Sequence, residues 1–438
     1  MELTTDDRAM LARIRTADHG LVGRTLSWCA VNSGSRNLAG LLQVADLLEE
    51  AFAAVGLVER VALQPLSEIG ADGEPRVSEV APCLRVAVRP EAPVQVVMTG
   101  HYDTVFPPSS AFQQVRERED GALNGPGVAD MKGGISVMLG ALEAFETHPL
   151  ARNVGWRVLL SPDEEIGSLS SAPELARIAA GGHVGMTYEP ALAGGALASS
   201  RKGSGNFSVL VKGRSAHAGR DFAAGRNAIA AAARIAGALD ALNGRREAVT
   251  VNVAKIDGGG PSNQVPDRAV VRFNVRVPDA AAVDWLEAEL PGALAAGEGD
   301  GLTVERHGGF TRPPKPVNAA QQALFDGVKA AAALLDQPLS WQPSGGVCEG
   351  NNLFAAGLPN LDTLGCAAAT STRTRSTPGP TASASGRRCR RWCWPSSRTE
   401  RSTGAPSARR WAKNPRTHRR GGVGCWWSGP RGRTITGR

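Results

Sequence analysis

Apolar positions in the first 60 residues recur at spacings of three and four, the mark of helices that bury one face. Thr4-Thr5-Asp6-Asp7 is a good helix start, and 37–54 keeps the spacing over several turns. From position 93 the pattern changes. Short apolar runs at 94–98, 156–160 and 184–188 read as strands, and 135–145 between them reads as an amphipathic helix. Strands alternating with helices predict an α/β layer with a mostly parallel sheet. Residues 204–310 have another order: strands at 206–211, 249–256, 269–277 and 302–305, with helices at 225–242 and 280–290. The second helix is expected to end or kink at Pro291-Gly292. That order, β-α-β-β-α-β, is ferredoxin-like. From 317 the α/β style resumes, with a helix over 319–335 and a strand near 361–364. The predicted organisation is one α/β domain in two parts, 1–203 and 313–365, an α+β domain inserted at 204–312, and a tail at 366–438.

Charge sets the tail apart. Residues 366–438 carry 16 Arg and Lys413 against a single acid, Glu400, a net of +16. Residues 1–365 hold 32 basic and 41 acidic side chains, a net of −9. The overall net of +7 describes neither part, so it gives no reason to expect nucleic acid as a partner of the body. The tail also has five of the nine Trp and four of the seven Cys, with no Leu and no Phe. Such a segment cannot bury a core and reads as disordered. The body keeps Cys29, Cys83 and Cys348, which fits a reducing compartment without structural disulfides. The acidic start has no apolar stretch after it, and no run approaches the roughly 18 apolar residues of a membrane span. A cytoplasmic protein without membrane contact is expected.

Candidate chemistry lies just after the strands of the large domain: His101-Tyr102-Asp103, Asp130 in GPGVADMKGG, Asp163-Glu164-Glu165, and Tyr188-Glu189-Pro190. In an open α/β sheet, ligands bind beyond the carboxyl ends of strands. One histidine and several carboxylates therefore face one rim, a donor mixture that suits zinc, with manganese or cobalt as alternatives. Each piece alone has a plainer explanation. An HxD is commonly a surface pair, a DEE run is commonly a solvated helix start, and Glu189 before Pro190 can be a turn. The Gly-rich run lacks the order of a phosphate loop. The force comes from four such pieces in order, each at a strand end.

TGHYDTV, GPGVADMKGG, DEEIGS and YEPA resemble the dizinc aminoacylase-type metallopeptidase family, which includes glutamate carboxypeptidase, acetylornithine deacetylase and succinyl-diaminopimelate desuccinylase. The likeness runs from about residue 20 to residue 365. SAHAGRDFAAGRNAI, GGGPSNQVPD and FNVRV resemble that family's lid and dimerisation domain. The resemblance implies two zinc ions bridged by Asp130, with His101 and Glu189 completing one and Glu165 on the other. Asp103 would orient His101, and Glu164 would be the general base in hydrolysis of an amide, of a peptide or an N-acyl amino acid. It also implies a homodimer through 204–312, in which His217 reaches the partner subunit's site and helps hold the oxyanion. Asn263 matches the family's Asn before a Val-Pro or Ile-Pro pair. Arg276 stands where relatives hold a substrate carboxylate, a task that suits a guanidinium; an ordinary strand-face charge explains it as well.

One family feature is missing. A last metal-ligating histidine is expected some ten residues after Pro359-Asn360-Leu361-Asp362-Thr363-Leu364-Gly365, yet the next histidine is His418. A shifted reading frame accounts for this. The third base of each codon, taken with two bases of the next, permits a Gly-Gly-Asp-Ile-His run and a later Glu-Tyr from residues 367–379. The histidine codon then spans Ser371 and Thr372, and an amphipathic helix can follow. On this view the tail is out of frame and the chain is an impaired hydrolase. The rival view is an inactive relative whose basic tail contacts nucleic acid.

Overall fold

The computed structural model describes residues 2–369 and the pair 388–389. The expected disorder and frame shift of the rest of the tail lie outside the described residues. The body is built on a six-stranded sheet. Val94–His101 lies at its centre, parallel to Val154–Ser161 on one side and to Val184–Thr187 on the other, and Asn360–Leu361 adds a further parallel strand. Cys83–Val88 and Val58–Val61 extend the other edge antiparallel. The sheet is thus more mixed than expected. Val58-Glu59-Arg60-Val61 has too few apolar positions to show a period, and its pairing with Cys83–Val88 is what makes it a strand.

Side chains alternate across this sheet, and each face has its own cover. Met98, Val158 and Leu160 pack under the helices Asp18–Cys29, Leu38–Phe52 and Lys132–Phe145. Val97 and Leu159 pack against Leu175 and Ile178 of Ala172–Ala179 and against Leu353 of Glu349–Ala355. Helices on both faces of a largely parallel core leave only the strand ends open, which is where the polar motifs sit. Among the described residues no helix is long and apolar enough to cross a membrane.

The inserted domain is a four-stranded antiparallel sheet in the order Thr250–Gly258, Arg268–Val277, Gly203–Lys212, Thr303–Arg312. The helices Ala228–Asp240 and Ala280–Ala295 pack on one face through Ile235, Leu239, Leu286 and Leu290. This is the ferredoxin-like arrangement. Contrary to expectation, the second helix runs through Pro291. Leu290 and Ala293 are buried on either side of it, so packing outweighs the lost hydrogen bond.

Two segments cross between the domains, and Arg201 and Lys315 join them by reciprocal backbone hydrogen bonds of 2.9 and 3.0 Å. Both side chains are buried on Asp362. Arg201 binds its carboxylate with two bonds, of 2.8 and 2.9 Å, and Lys315 Nζ donates to it at 2.8 Å. Burial alone would raise the Asp362 pKa, but the two cations outweigh burial and hold it at about 2, against 3.8 ordinarily. Stability from this group is therefore complete above about pH 4 and falls as pH drops from there towards 2. Asp362→Ala strands two buried cations and is expected to cost about 3–5 kcal/mol in urea unfolding of the full chain. A loss near zero would show that the cluster is hydrated rather than dry.

Candidate metal centre

His101 ends its strand fully buried. Its Nδ1 lies 3.2 Å from the Asp103 carbonyl oxygen and 3.2 Å from Asp103 Oδ1, which leaves Nε2 to face the rim. Nε2 is 3.3 Å from Asp130 Oδ1, 3.6 Å from Glu189 Oε1 and 3.9 Å from Glu164 Oε2. Asp103 also accepts the Glu164 and Glu165 backbone N–H groups at 3.1 Å each and the Ser35 hydroxyl at 2.7 Å. Asp103 thus meets the imidazole with both its carbonyl and its carboxylate, and the carboxylate also holds the turn that carries two further carboxylates. That turn closes at Gly167, whose φ of 103° suits glycine.

The other motif residues are explained by packing. Lys132 is buried, and its Nζ donates to the Trp28 and Val31 carbonyls at 3.0 Å each, capping the end of Asp18–Cys29. Burial lowers its pKa to about 8. Gly134 lies so close to the Tyr188 carbonyl that a Cβ would come within 2.0 Å of it. The helix start carrying Asp130 can therefore lie directly against the strand end carrying Glu189.

Donor atoms of His101, Asp130 and Glu165 lie within 4.8 Å of one another, and so do those of His101, Glu164 and Glu189. His101 joins both groups, whereas the resemblance puts His101 with Glu189 on one ion and Glu165 on the other, Asp130 being common to both. Burial would lower the His101 pKa, but Asp103 and Asp130, with Glu189 and Glu164 behind them, hold it well above the usual range. Burial and then the Asp130 charge push Glu165 and Glu189 up. Among the described residues, buried Glu189 Oε1 has no hydrogen-bond partner. Crowded carboxylates, one imidazole and a buried oxygen without a hydrogen-bond donor fit divalent cations, which would relieve the repulsion among like charges.

The lid residues are placed differently. His217 is exposed on a two-stranded ribbon, Ala216–His217 with Gln264–Val265, and Asn263 is exposed beside it, its carbonyl accepting the Ala218 N–H at 2.8 Å. Neither contacts the carboxylate cluster among the described residues. Arg276 is half-buried on the strand Arg268–Val277. Its Nε donates to Asn274 Oδ1 at 3.1 Å, and its buried Nη1 has no hydrogen-bond partner among the described residues. Burial, then the charge of Arg312, lowers its pKa against the pull of Glu164.

Two residues at the site escaped sequence reasoning. Arg312 is buried with a 2.7 Å ion pair to Glu164. Its only sequence signal is an arginine before Pro313-Pro314 where a strand stops. Glu349 is fully buried on the Ser161 hydroxyl, its pKa raised to about 7 by burial.

Residues 199–300 match the peptidase dimerisation domain of the M20 type. The chain is similar to succinyl-diaminopimelate desuccinylase of Methylorubrum extorquens, 32% identical over 226 residues, 47% of this chain and 58% of the relative. It is also similar to that of Rhodospirillum rubrum, 29% identical over 306 residues, 62% and 74% of the two chains. The first match thus spans under two thirds of its relative's length. Among solved structures, a Staphylococcus aureus tripeptidase superposes with a TM-score of 0.60 at 20% identity, over 85% of this chain and 93% of that one. A Sulfolobus solfataricus M20 family metallo-carboxypeptidase gives 0.60 at 16% identity, over 79% and 91%. These structures share the fold, and together with the matched dimerisation domain and the desuccinylase relatives they support the aminoacylase-type (M20) metallopeptidase family for this chain.

Proposed function

We propose that this site hydrolyses an amide bond in a small peptide or N-acyl amino acid, with glutamate carboxypeptidase-like cleavage as the first reading. The observation that carries it is the convergence of Asp130, Glu164, Glu165 and Glu189 on the free Nε2 face of His101. Asp130, His101, Glu189 and Glu165 would hold two divalent ions, zinc first. Bound ions would polarise the substrate carbonyl and acidify a water. Glu164 would take that water's proton and return it to the leaving nitrogen, with Asp103 holding His101 in place. Arg276 Nη1, without a hydrogen-bond partner among the described residues, supports a substrate with a free carboxylate. Succinyl-amino-acid deacylation, the activity named for the desuccinylase relatives, is the second reading, since such substrates also carry carboxylates.

The test is hydrolysis by the zinc-loaded protein of peptides ending in glutamate set against N-acetyl and N-succinyl amino acids. Asp130→Ala is expected to lose both ions and all activity. Full metal retention in that variant would remove the assignment.

The dimerisation domain supports a homodimer through 204–312, in which His217 serves the partner subunit's site. A mixture of His217→Ala and Glu164→Gln chains is then expected to regain activity in heterodimers. With subunit exchange shown, no recovery would leave His217 acting in its own chain or not at all.

We also propose that the chain as written departs from its ancestral frame near Gly365. Leu364 N–H bonds the Thr187 carbonyl at 3.3 Å, Gly365 N–H the Glu189 carbonyl at 2.8 Å, and Ala191 N–H the Cys366 carbonyl at 3.1 Å. The described chain thus passes Glu189 at residues 364–366, and positions 371–372, where the shifted frame places the histidine, lie outside the described residues.

A further inference from the structure

Arg312 ends the strand Thr303–Arg312 of the inserted domain, and its side chain turns into the body with 1% exposure. Its Nη2 donates to Glu164 Oε1 at 2.7 Å, to the Glu164 carbonyl at 3.1 Å and to Ser168 Oγ at 3.0 Å, while Nη1 donates to Asn352 Oδ1 at 2.6 Å. The two oxygens of Glu164 are thereby divided. Oε1 is gripped by the guanidinium, and Oε2 faces His101 Nε2 at 3.9 Å. The anchors of this grip are themselves pinned at the crossing between domains. Asn352 Nδ2 donates to the Thr311 carbonyl at 3.1 Å, and Asn351 Nδ2 bridges the Lys202 and Pro313 carbonyls at 2.9 and 2.7 Å.

We propose that Arg312 is a positioning residue: from the hinge it holds Glu164 Oε1, so that Oε2 is presented to the space beside His101 Nε2. This rests on the reading of Glu164 as the base. A glutamate side chain has three rotors, and a charge-assisted grip from a rigid, buried fork selects one setting among many. A brace between domains needs only the bonds to the Glu164 carbonyl, Ser168 and Asn352. The bond to Oε1 adds control of the carboxylate itself. Because Arg312 belongs to the inserted domain, the setting of Glu164 becomes tied to how that domain is seated.

The test reads the His101 Nε2 resonance in the metal-free, full-length chain labelled at its seven histidines, assigned by its loss in His101→Gln. Glu164→Gln and Arg312→Gln are both expected to shift it, and Arg312→Lys, which keeps one donor, to shift it less. In the zinc-loaded protein, Arg312→Gln is expected to lower kcat by about 10–10²-fold with KM changed by less than about threefold and metal content unchanged. An unmoved His101 resonance in a folded Arg312→Gln chain overturns the proposal, because Glu164 then keeps its place unaided. A KM rise of about tenfold or more with kcat preserved overturns it too, since Arg312 would then be binding substrate. Where turnover is below detection the resonance decides alone. If Arg312→Gln does not fold, Asn352→Ala, which removes one anchor of the guanidinium, replaces it, with smaller shifts in the same direction expected and no shift counting against the grip. Full turnover in Glu164→Gln removes the base assignment and leaves the resonance measurement of the grip standing.

Discussion

Glu164→Gln is expected to lower kcat by about 10⁴-fold or more while metal content stays unchanged. General acid–base help contributes typically about 10²–10⁴-fold, and here one carboxylate is asked to move the proton twice, from water and then to the leaving amine. The amide keeps the volume of the side chain and can still meet Arg312 through its oxygen, so the expected defect is chemical rather than architectural. Glu165→Gln should behave in the opposite way, losing metal first. Steady-state kinetics with metal analysis of both variants checks this. If Glu164→Gln strips metal while Glu165→Gln does not, the two neighbouring glutamates have been assigned in reverse.

Restoring the shifted frame after Gly365 is expected to have the other large effect. As written, the second ion would rest on Asp130 and Glu165 without the histidine the family supplies. Loss of even an outer-shell partner of a metal site costs about 10–100-fold in affinity or activity, and loss of a direct ligand should cost at least as much. The frame-restored chain should therefore bind close to two ions and gain about 10²-fold or more in amide hydrolysis over the written chain under the same zinc concentration. Equal activity of the two chains would mean that the written tail is functional and the frame reading is wrong. Sequencing of the DNA around the Gly365 codon supplies an independent answer.

The body strands and the four acidic motifs were legible because each carries its signal within a few residues. An apolar run ends, and a histidine or carboxylate follows where parallel strands deliver ligands. The ferredoxin-like order was legible for the same reason. What was hidden depends on contacts far apart in sequence. Arg312 meets Glu164 across 148 positions, and Ser161 meets Glu349 across 188, so neither pair leaves a spacing to recognise. Val58–Val61 is a strand only through its partner. Pro291 shows the converse, a strong local signal overruled by the burial of Leu290 and Ala293.

The crossing at Arg201 and Lys315 also bears on the order in which the chain is made. The body's sheet needs Asn360–Leu361, which leaves the ribosome only after the whole inserted domain. That domain is continuous in sequence, and its first and last strands are neighbours, with Ser204 opposite Arg312. Folding it early would draw the two halves of the body together at the hinge and shorten the loop that remains to be closed. Until Asp362 emerges, however, Arg201 and Lys315 have no carboxylate to neutralise them and would stay in water rather than pack. Co-translational closure of the body is thus held back until nearly the end of the described chain, and a nascent chain stalled before Asp362 would present a finished inserted domain on an unfinished, chaperone-accessible body.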